Sequence, residues 1–422
     1  MLSAILNAFK VPELRKKIFF TLAIIALYRL GSFVPVPGIP LGALTDAFQA
    51  TGENTAMVFL NLFSGNALAN FSVFALGIMP YITASIIMQL MQGVIPSLQR
   101  WAREGQSGQK KITQITRYVT LFLGLINAIG YLLLFQSSQF GIVLPAGLEG
   151  ITSVVIVFAL VAGVAFIMWM GELITQRGIG NGMSIIIFSS IIDGVPSAIF
   201  TSSATQTPVL TVVIILTVLA VIPGIVLIER AQRRIPVNYA KRIQGRRVMG
   251  GTSTYIPLKV NGAGVIPIIF ASALLYFPAQ LAAFFNVDWL TTAANALSSG
   301  WLNWILNAVL IVFFCFFYTS MVFNPDQTAD NLRKQGGFIP GVRPGQNTVQ
   351  YIKNVLNRIT LPGGIYIAAI AVIPSILFFF IGDSLITAFG GTSILIMVGV
   401  ALDTMSKLES QLKMHHYEGF FK

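Results

Sequence analysis

Few side chains in this 422-residue chain can do covalent or proton chemistry. His415 and His416, the two histidines, are adjacent near the C-terminus. Neighbours on a helix point in different directions, so they make no rigid metal pair. Cys315 is the single cysteine, which excludes an internal disulfide or a cysteine-based metal site. No HExxH, Gly-x-Ser-x-Gly or GxxxxGKS/T string occurs. The sequence therefore assigns no catalytic residue, no metal and no cofactor, and any energy used must come from a partner. The ionisable groups within apolar stretches are Arg29 and, near their ends, Glu172, Asp193, Asp383 and Asp403. A secondary transporter would need a polar site at mid-membrane, for which Arg29 is the one strong candidate. Its structural alternative is to satisfy carbonyls or to snorkel toward the outer interface.

The residues that recur at equivalent places are apolar instead. Gly77–Ser85 reads GIMPYITAS and Gly264–Ser272 reads GVIPIIFAS, an offset of 187 residues. A second echo, at an offset of 209, joins NGMSIII from Asn181 to GGTSILI from Gly390. The isoleucines carried by these repeats are Ile82, Ile187, Ile269 and Ile396, with Ile78 and Met183 one helical turn from the first two. Branched apolar side chains at a constriction make a dry, deformable collar that excludes water and ions by dewetting. The alternative for each of them is an ordinary helix–helix core.

Positioning such a collar requires a membrane-embedded bundle. The chain is 55% hydrophobic and 10% charged, with mean hydropathy +0.78. Soluble domains carry roughly 25% charged residues, so a soluble globular enzyme is excluded. Uncharged stretches such as Tyr118–Leu148, Gly194–Ile228 and Trp289–Pro325 each exceed the ~20 residues that span hydrocarbon. They are too long and too uniform for barrel strands of about ten alternating residues. Ten spans are expected: Ile18–Val36, Phe71–Gln92, Ile115–Gln136, Thr152–Met170, Asn181–Val195, Val209–Ile228, Gly262–Leu281, Trp301–Val322, Gly364–Ile381 and Ser393–Met405. Every Lys and Arg except Arg29 then falls on one side, which the positive-inside rule makes cytoplasmic, with both termini. A five-span unit reverses on repetition. The expected fold is thus an all-α polytopic membrane protein: two inverted halves, 1–200 and 201–422, around a central pore.

Three connecting segments add detail. The basic stretch at about 229–259 and the Gly–Pro-rich loop at about 324–358 both face the cytoplasm. The first is expected to hold a β-hairpin. It reads either as contact with anionic lipid or as a docking surface for a nucleic acid or an acidic partner. Asn54–Asn70 is too short to cross and includes Ser64, Gly65 and Asn66. It is expected to be a loosely packed outer element, either a removable stopper or a cap. Before the first span, Phe9 and Leu14 are expected on an interfacial helix.

Long strings carry a family likeness: YRLGSFVPVPGI from Tyr28, GELITQRGIGNGMSIIIF from Gly171, and YAKRIQGRRVMGGTSTYIPLKVNGAGVIPIIFAS from Tyr239. NPDQTADNLRKQGGFIPGVRPG from Asn324 and FLNLFSGNALANFSVFALGIMPYITASIIMQL from Phe59 belong with them. Together they resemble the SecY family of the bacterial protein translocase, over nearly the whole chain. That resemblance implies a multi-pass channel in the bacterial cytoplasmic membrane, passing unfolded preproteins and releasing hydrophobic segments laterally into lipid. It implies a pore ring of Ile78, Ile82, Met183, Ile187, Ile269 and Ile396, with Met183 standing where the family's pattern carries isoleucine. It implies a plug over Thr55–Leu68, with Thr55, Phe63, Ser64, Gly65, Asn66 and Leu68. A lateral gate between spans two and seven, with three and eight, would include Ser85, Asn127 and Ser272. Arg246, Arg247 and Arg343 would receive the SecA motor ATPase or the ribosome. SecE and SecG would be partner subunits, and a signal peptide or unfolded preprotein the substrate.

Overall fold

The computed structural model describes residues 8–37, 61, 64–136, 149–205, 208–239, 242–244, 247–249, 253–285, 289, 292, 296–297, 300–381 and 391–418. Helix α1 spans Pro12–Gly31, with proline in its first turn where no N–H is needed. It begins ahead of the expected span, and Leu14 corrects the sequence reading. That side chain is fully buried against Ala8, Ile179 and Leu408 rather than resting on an interface, whereas Phe9 is exposed.

The second expected span also starts differently. Residues 64–78 are mostly turns, and helix α2 runs from Met79 to Val94. The cause is a backbone pairing that composition does not reveal. Val36 N donates to Phe71 O at 3.0 Å and Val73 N to Val34 O at 2.9 Å, around a Pro35–Ser72 bridge. Helix α3 (Pro96–Arg103) follows, and the chain bends by 103° between the two, just before Pro96.

Helices α4 (Gln106–Gln136), α5 (Glu149–Arg177), α6 (Gly182–Thr205) and α7 (Pro208–Arg230) complete the membrane part up to the first basic segment. After it come α8 (Ile266–Phe285), α9 (Trp301–Val322), α10 (Pro325–Lys334), α11 (Gln346–Ile381) and α12 (Gly391–Glu418). Every expected span overlaps one of these helices. Among the described residues, five helices are long and apolar enough to cross a membrane, in α4, α5, α9, α11 and α12; a sixth qualifies if bent α2–α3 is one span. Apolar side chains such as Phe158, Phe122, Val309 and Leu227 stand exposed on the outer surface, as a lipid-facing bundle requires.

The two halves pack alike. In the first, α2 meets α4, α4 meets α5, and α5 meets α6, while α1 touches α5 and α6. In the second, α8 meets α9, α9 meets α11, and α11 meets α12, while α7 touches α11 and α12. Across the halves, α2 and α4 face α8, and α6 faces α12.

The hairpin expected in the basic segment is present. Strand β1 (Gln232–Tyr239) is central; β2 (Arg242–Gln244) and β3 (Arg247–Met249) form a small antiparallel ribbon. Strand β4 (Ser253–Lys259) pairs antiparallel with β1 from Gln232↔Lys259 to Asn238↔Ser253. Strand β5 (Gly337–Phe338) joins the far end of β1. Pro236 removes a ladder donor, which β1 tolerates because β5 pairs only with Asn238 and Tyr239. The two connecting segments, 229–259 and 324–358, thereby share one core of Ile235, Val237, Leu258, Leu332, Ile339 and Ile352. The sequence did not reveal that union. In it, α10 is capped by Asn324, whose Oδ1 accepts from Asp326 N (3.1 Å) and Gln327 N (3.3 Å).

Candidate functional site

Four helices from both halves supply the expected collar. Ile78 precedes α2 and Ile82 lies on it; Met183 and Ile187 lie on α6, Ile269 on α8 and Ile396 on α12. All six are under a tenth exposed, and all belong to one apolar cluster. None is among the lipid-exposed apolar side chains. The Met183 thioether lies over Gly171 at the α5–α6 crossing, where a Cβ would collide with its sulfur. A flexible, unbranched side chain fits that close approach.

Beside the collar lies the turn that the sequence assigned to a stopper. Thr55 and Phe63 lie outside the described residues. Ser64, Gly65, Asn66 and Leu68 are placed, and polar contacts tie the first three to the walls. Tyr28 Oη donates to Ser64 O at 3.1 Å and lies 2.7 Å from Ser190 Oγ. Arg29 donates to Gly65 O and to Ser189 O, and pairs with Asp193 Oδ2 at 3.1 Å. Asn66 Nδ2 donates to the same Asp193 oxygen at 3.2 Å. Within the turn, Asn66 N donates to Asn61 O at 2.9 Å and Ala69 N to Asn61 Oδ1 at 2.9 Å. Over its described residues the segment is not loosely packed: the 64–66 turn is docked by hydrogen bonds on α1 and α6. Arg29 satisfies carbonyls, one of the two structural roles the sequence left open. Leu68, by contrast, is fully buried among Val36, Phe71 and Leu160.

The expected gate residues sit on the helices that meet across the halves. Ser85 on α2 and Asn127 on α4 are half-buried, and Ser272 on α8 is buried. Ser272 Oγ has no hydrogen-bond partner among the described residues, nor have Gln89 Oε1 on α2 and Asn307 Oδ1 on α9. Gln89 and Asn307 were missed from sequence, where an isolated amide in an apolar run gives no pairing signal. Asn261 Nδ2 donates to Glu229 Oε2 (2.7 Å) and Gly264 O (3.0 Å), tying the end of α7 to the stretch that leads into α8. Burial pushes the Glu229 carboxyl above its ordinary range, and the Asn261 bond opposes that rise.

Of the expected docking arginines, Arg343 is exposed on the turn after β5, Arg247 lies on β3, and Arg246 lies outside the described residues. Of the remaining ionisable candidates, Asp383 lies outside the described residues and the other two are partnered. Glu172 forms a bidentate pair with Arg117, with Arg117 Nε at 2.7 Å, and Asp403 pairs with Lys407 at 2.9 Å.

The family model described as SecY matches residues 72–405. "Protein translocase subunit SecY" of Streptomyces coelicolor is 48% identical, and that of Corynebacterium glutamicum 44%, each alignment covering 100% of both chains. Among solved structures, "The structure of a protein conducting channel" aligns with TM-score 0.64 at 18% identity, covering 95% of both chains. "The plug domain of the SecY protein stablizes the closed state of the translocation channel and maintains a membrane seal" aligns at 0.62 and 18%, with the same coverage. "Sec61 in the Canine ribosome-channel complex from the endoplasmic reticulum" aligns at 0.59 and 16%, again over 95% of both. The structures establish the shared fold, and the sequence matches run from end to end: the chain belongs to the SecY family.

Proposed function

We propose that this channel subunit, which is no enzyme, passes unfolded secretory polypeptides across the bacterial cytoplasmic membrane between its two halves. The observation that carries the reading is the burial of Ile78, Ile82, Met183, Ile187, Ile269 and Ile396 in one apolar cluster drawn from both halves. A translocating chain presents every kind of side chain. A charged or closely fitted lining would trap some of them, whereas an aliphatic collar offers only weak, non-directional contact. Ten crossings, with both termini cytoplasmic, put the sheet module and Arg246, Arg247 and Arg343 where a SecA motor or a ribosome docks. SecE and SecG complete the complex, and anionic lipid meets the basic field.

The plug is the Thr55–Leu68 segment, closing the collar from outside. The gate is the α2–α8 seam, flanked by α4 and α9. A buried polar atom without a partner costs about 1–3 kcal/mol. The Ser272 hydroxyl on α8, without a partner among the described residues, therefore makes the closed seam less favourable than a wholly apolar one. An apolar segment within reach of an open seam then prefers lipid by about 25 cal/mol per Å².

The test replaces Ile82, Ile187, Ile269 and Ile396 together with Asn in the reconstituted complex. Resting ion conductance is expected to rise while export of a secretory protein continues. Conductance equal to that of the parent would refute the collar.

A further inference from the structure

Resting on the plug reading, we infer that Arg29 and Asp193 form a charged latch that holds the 64–66 turn in place and sets how often the idle channel opens. The turn divides into two differently held parts. Its distal part, Ala67 and Leu68, is fully buried in apolar clusters and acts as an anchor. Its tip, Ser64 to Asn66, is tied to the walls mainly through oxygen and nitrogen atoms. Two wall groups reach it from α1, where Tyr28 donates to Ser64 O at 3.1 Å and Arg29 to Gly65 O at 3.4 Å. A third reaches it from α6, where Asp193 accepts from Asn66 at 3.2 Å. Arg29 and Asp193 then bind each other at 3.1 Å, so the tip, α1 and α6 close into one ring of contacts.

Such a ring is suited to reversible release. The side chains of Arg29 and Asp193 are 20% and 35% exposed, so water can take over their hydrogen bonds when the tip leaves. The apolar anchor has no such substitute, and the segment is expected to pivot near Leu68 rather than detach. Asp193 is the member that decides the outcome. It neutralises Arg29 and bonds the tip, so its loss weakens two sides of the ring together. Arg29 also holds Ser189 O and stacks near the Tyr28 ring at 5.8 Å, which keeps it in place when Asp193 is altered.

The experiment uses the complete complex in planar bilayers without substrate. Asp193→Asn and Asn66→Ala are each expected to raise the opening frequency about tenfold, equivalent to ~1.4 kcal/mol. The double variant is expected to add little to Asp193→Asn alone, because both break the same Asn66–Asp193 bond. A second arm joins Asn66→Cys to Asp193→Cys by oxidation, with the buried native Cys315 as a low background. The disulfide is expected to block export, and reduction to restore it. Opening frequencies equal to the parent's, with export still blocked by the disulfide, would overturn the latch and leave the plug. Export at the parental rate through the oxidised complex would overturn the plug reading and the latch with it.

Discussion

A Cβ built on Gly65 would lie 2.9 Å from Arg29 Nη1 and 3.2 Å from Ser190 Cα, on backbone with φ +66°. Neither the close approach nor the left-handed backbone suits another residue. Gly65→Ala is expected to destabilise the docked turn by about 1–3 kcal/mol. In that background a cysteine at Ser64, buried in the parent, should react faster with a membrane-impermeant maleimide added from outside. Labelling at the parental rate would mean that the turn accommodates the methyl group. At this scale the sequence was informative where residues repeat. Ile82 and Ile187 were legible because Ile269 and Ile396 stand at matching offsets. Arg29 and Asp193 were each visible as charges at apolar runs, but no local pattern says that they meet. Their pairing depends on how α1 and α6 pack, which is a tertiary fact.

Helices and strands were legible to differing degrees. Trp301–Val322 coincides with its expected span, because Gly300 precedes it and Asn324–Pro325 follows. Phe71–Ile78 misled, since an uncharged apolar run looks helical until the Val34–Val36 backbone claims its hydrogen bonds. Helix α11 starts at Gln346, well before its apolar part, because α10 and the sheet core reached by Ile352 support its first turns. The shared core predicts a separation of effects. Val237 is fully buried, and Val237→Asp is expected to unfold the sheet module, read as rapid trypsin cleavage between Arg233 and Lys259. Arg343 is exposed on a turn, and Arg343→Glu is expected to keep the parental cleavage pattern while lowering motor-driven export several-fold. Full export by Arg343→Glu would remove this turn from the docking surface.

Across the whole molecule, matching packing in the two halves leaves one apolar cluster, the proposed waist, to which α2, α6, α8 and α12 contribute isoleucine and methionine. The two echoes at offsets of 187 and 209 residues pointed to that arrangement, though the sequence could not say that its members share a cluster. The central claim is that a polypeptide crosses through this waist. It is tested most directly by stalling a secretory protein with one cysteine mid-way through export. The complex would carry a single cysteine at Ile82, Ile187, Ile269 or Ile396, with lipid-facing Phe158→Cys as the comparison. Disulfides from the same substrate position to all four waist sites, and none to position 158, are the predicted result. Crosslinks to position 158 with none at the waist would place the path elsewhere and contradict the account.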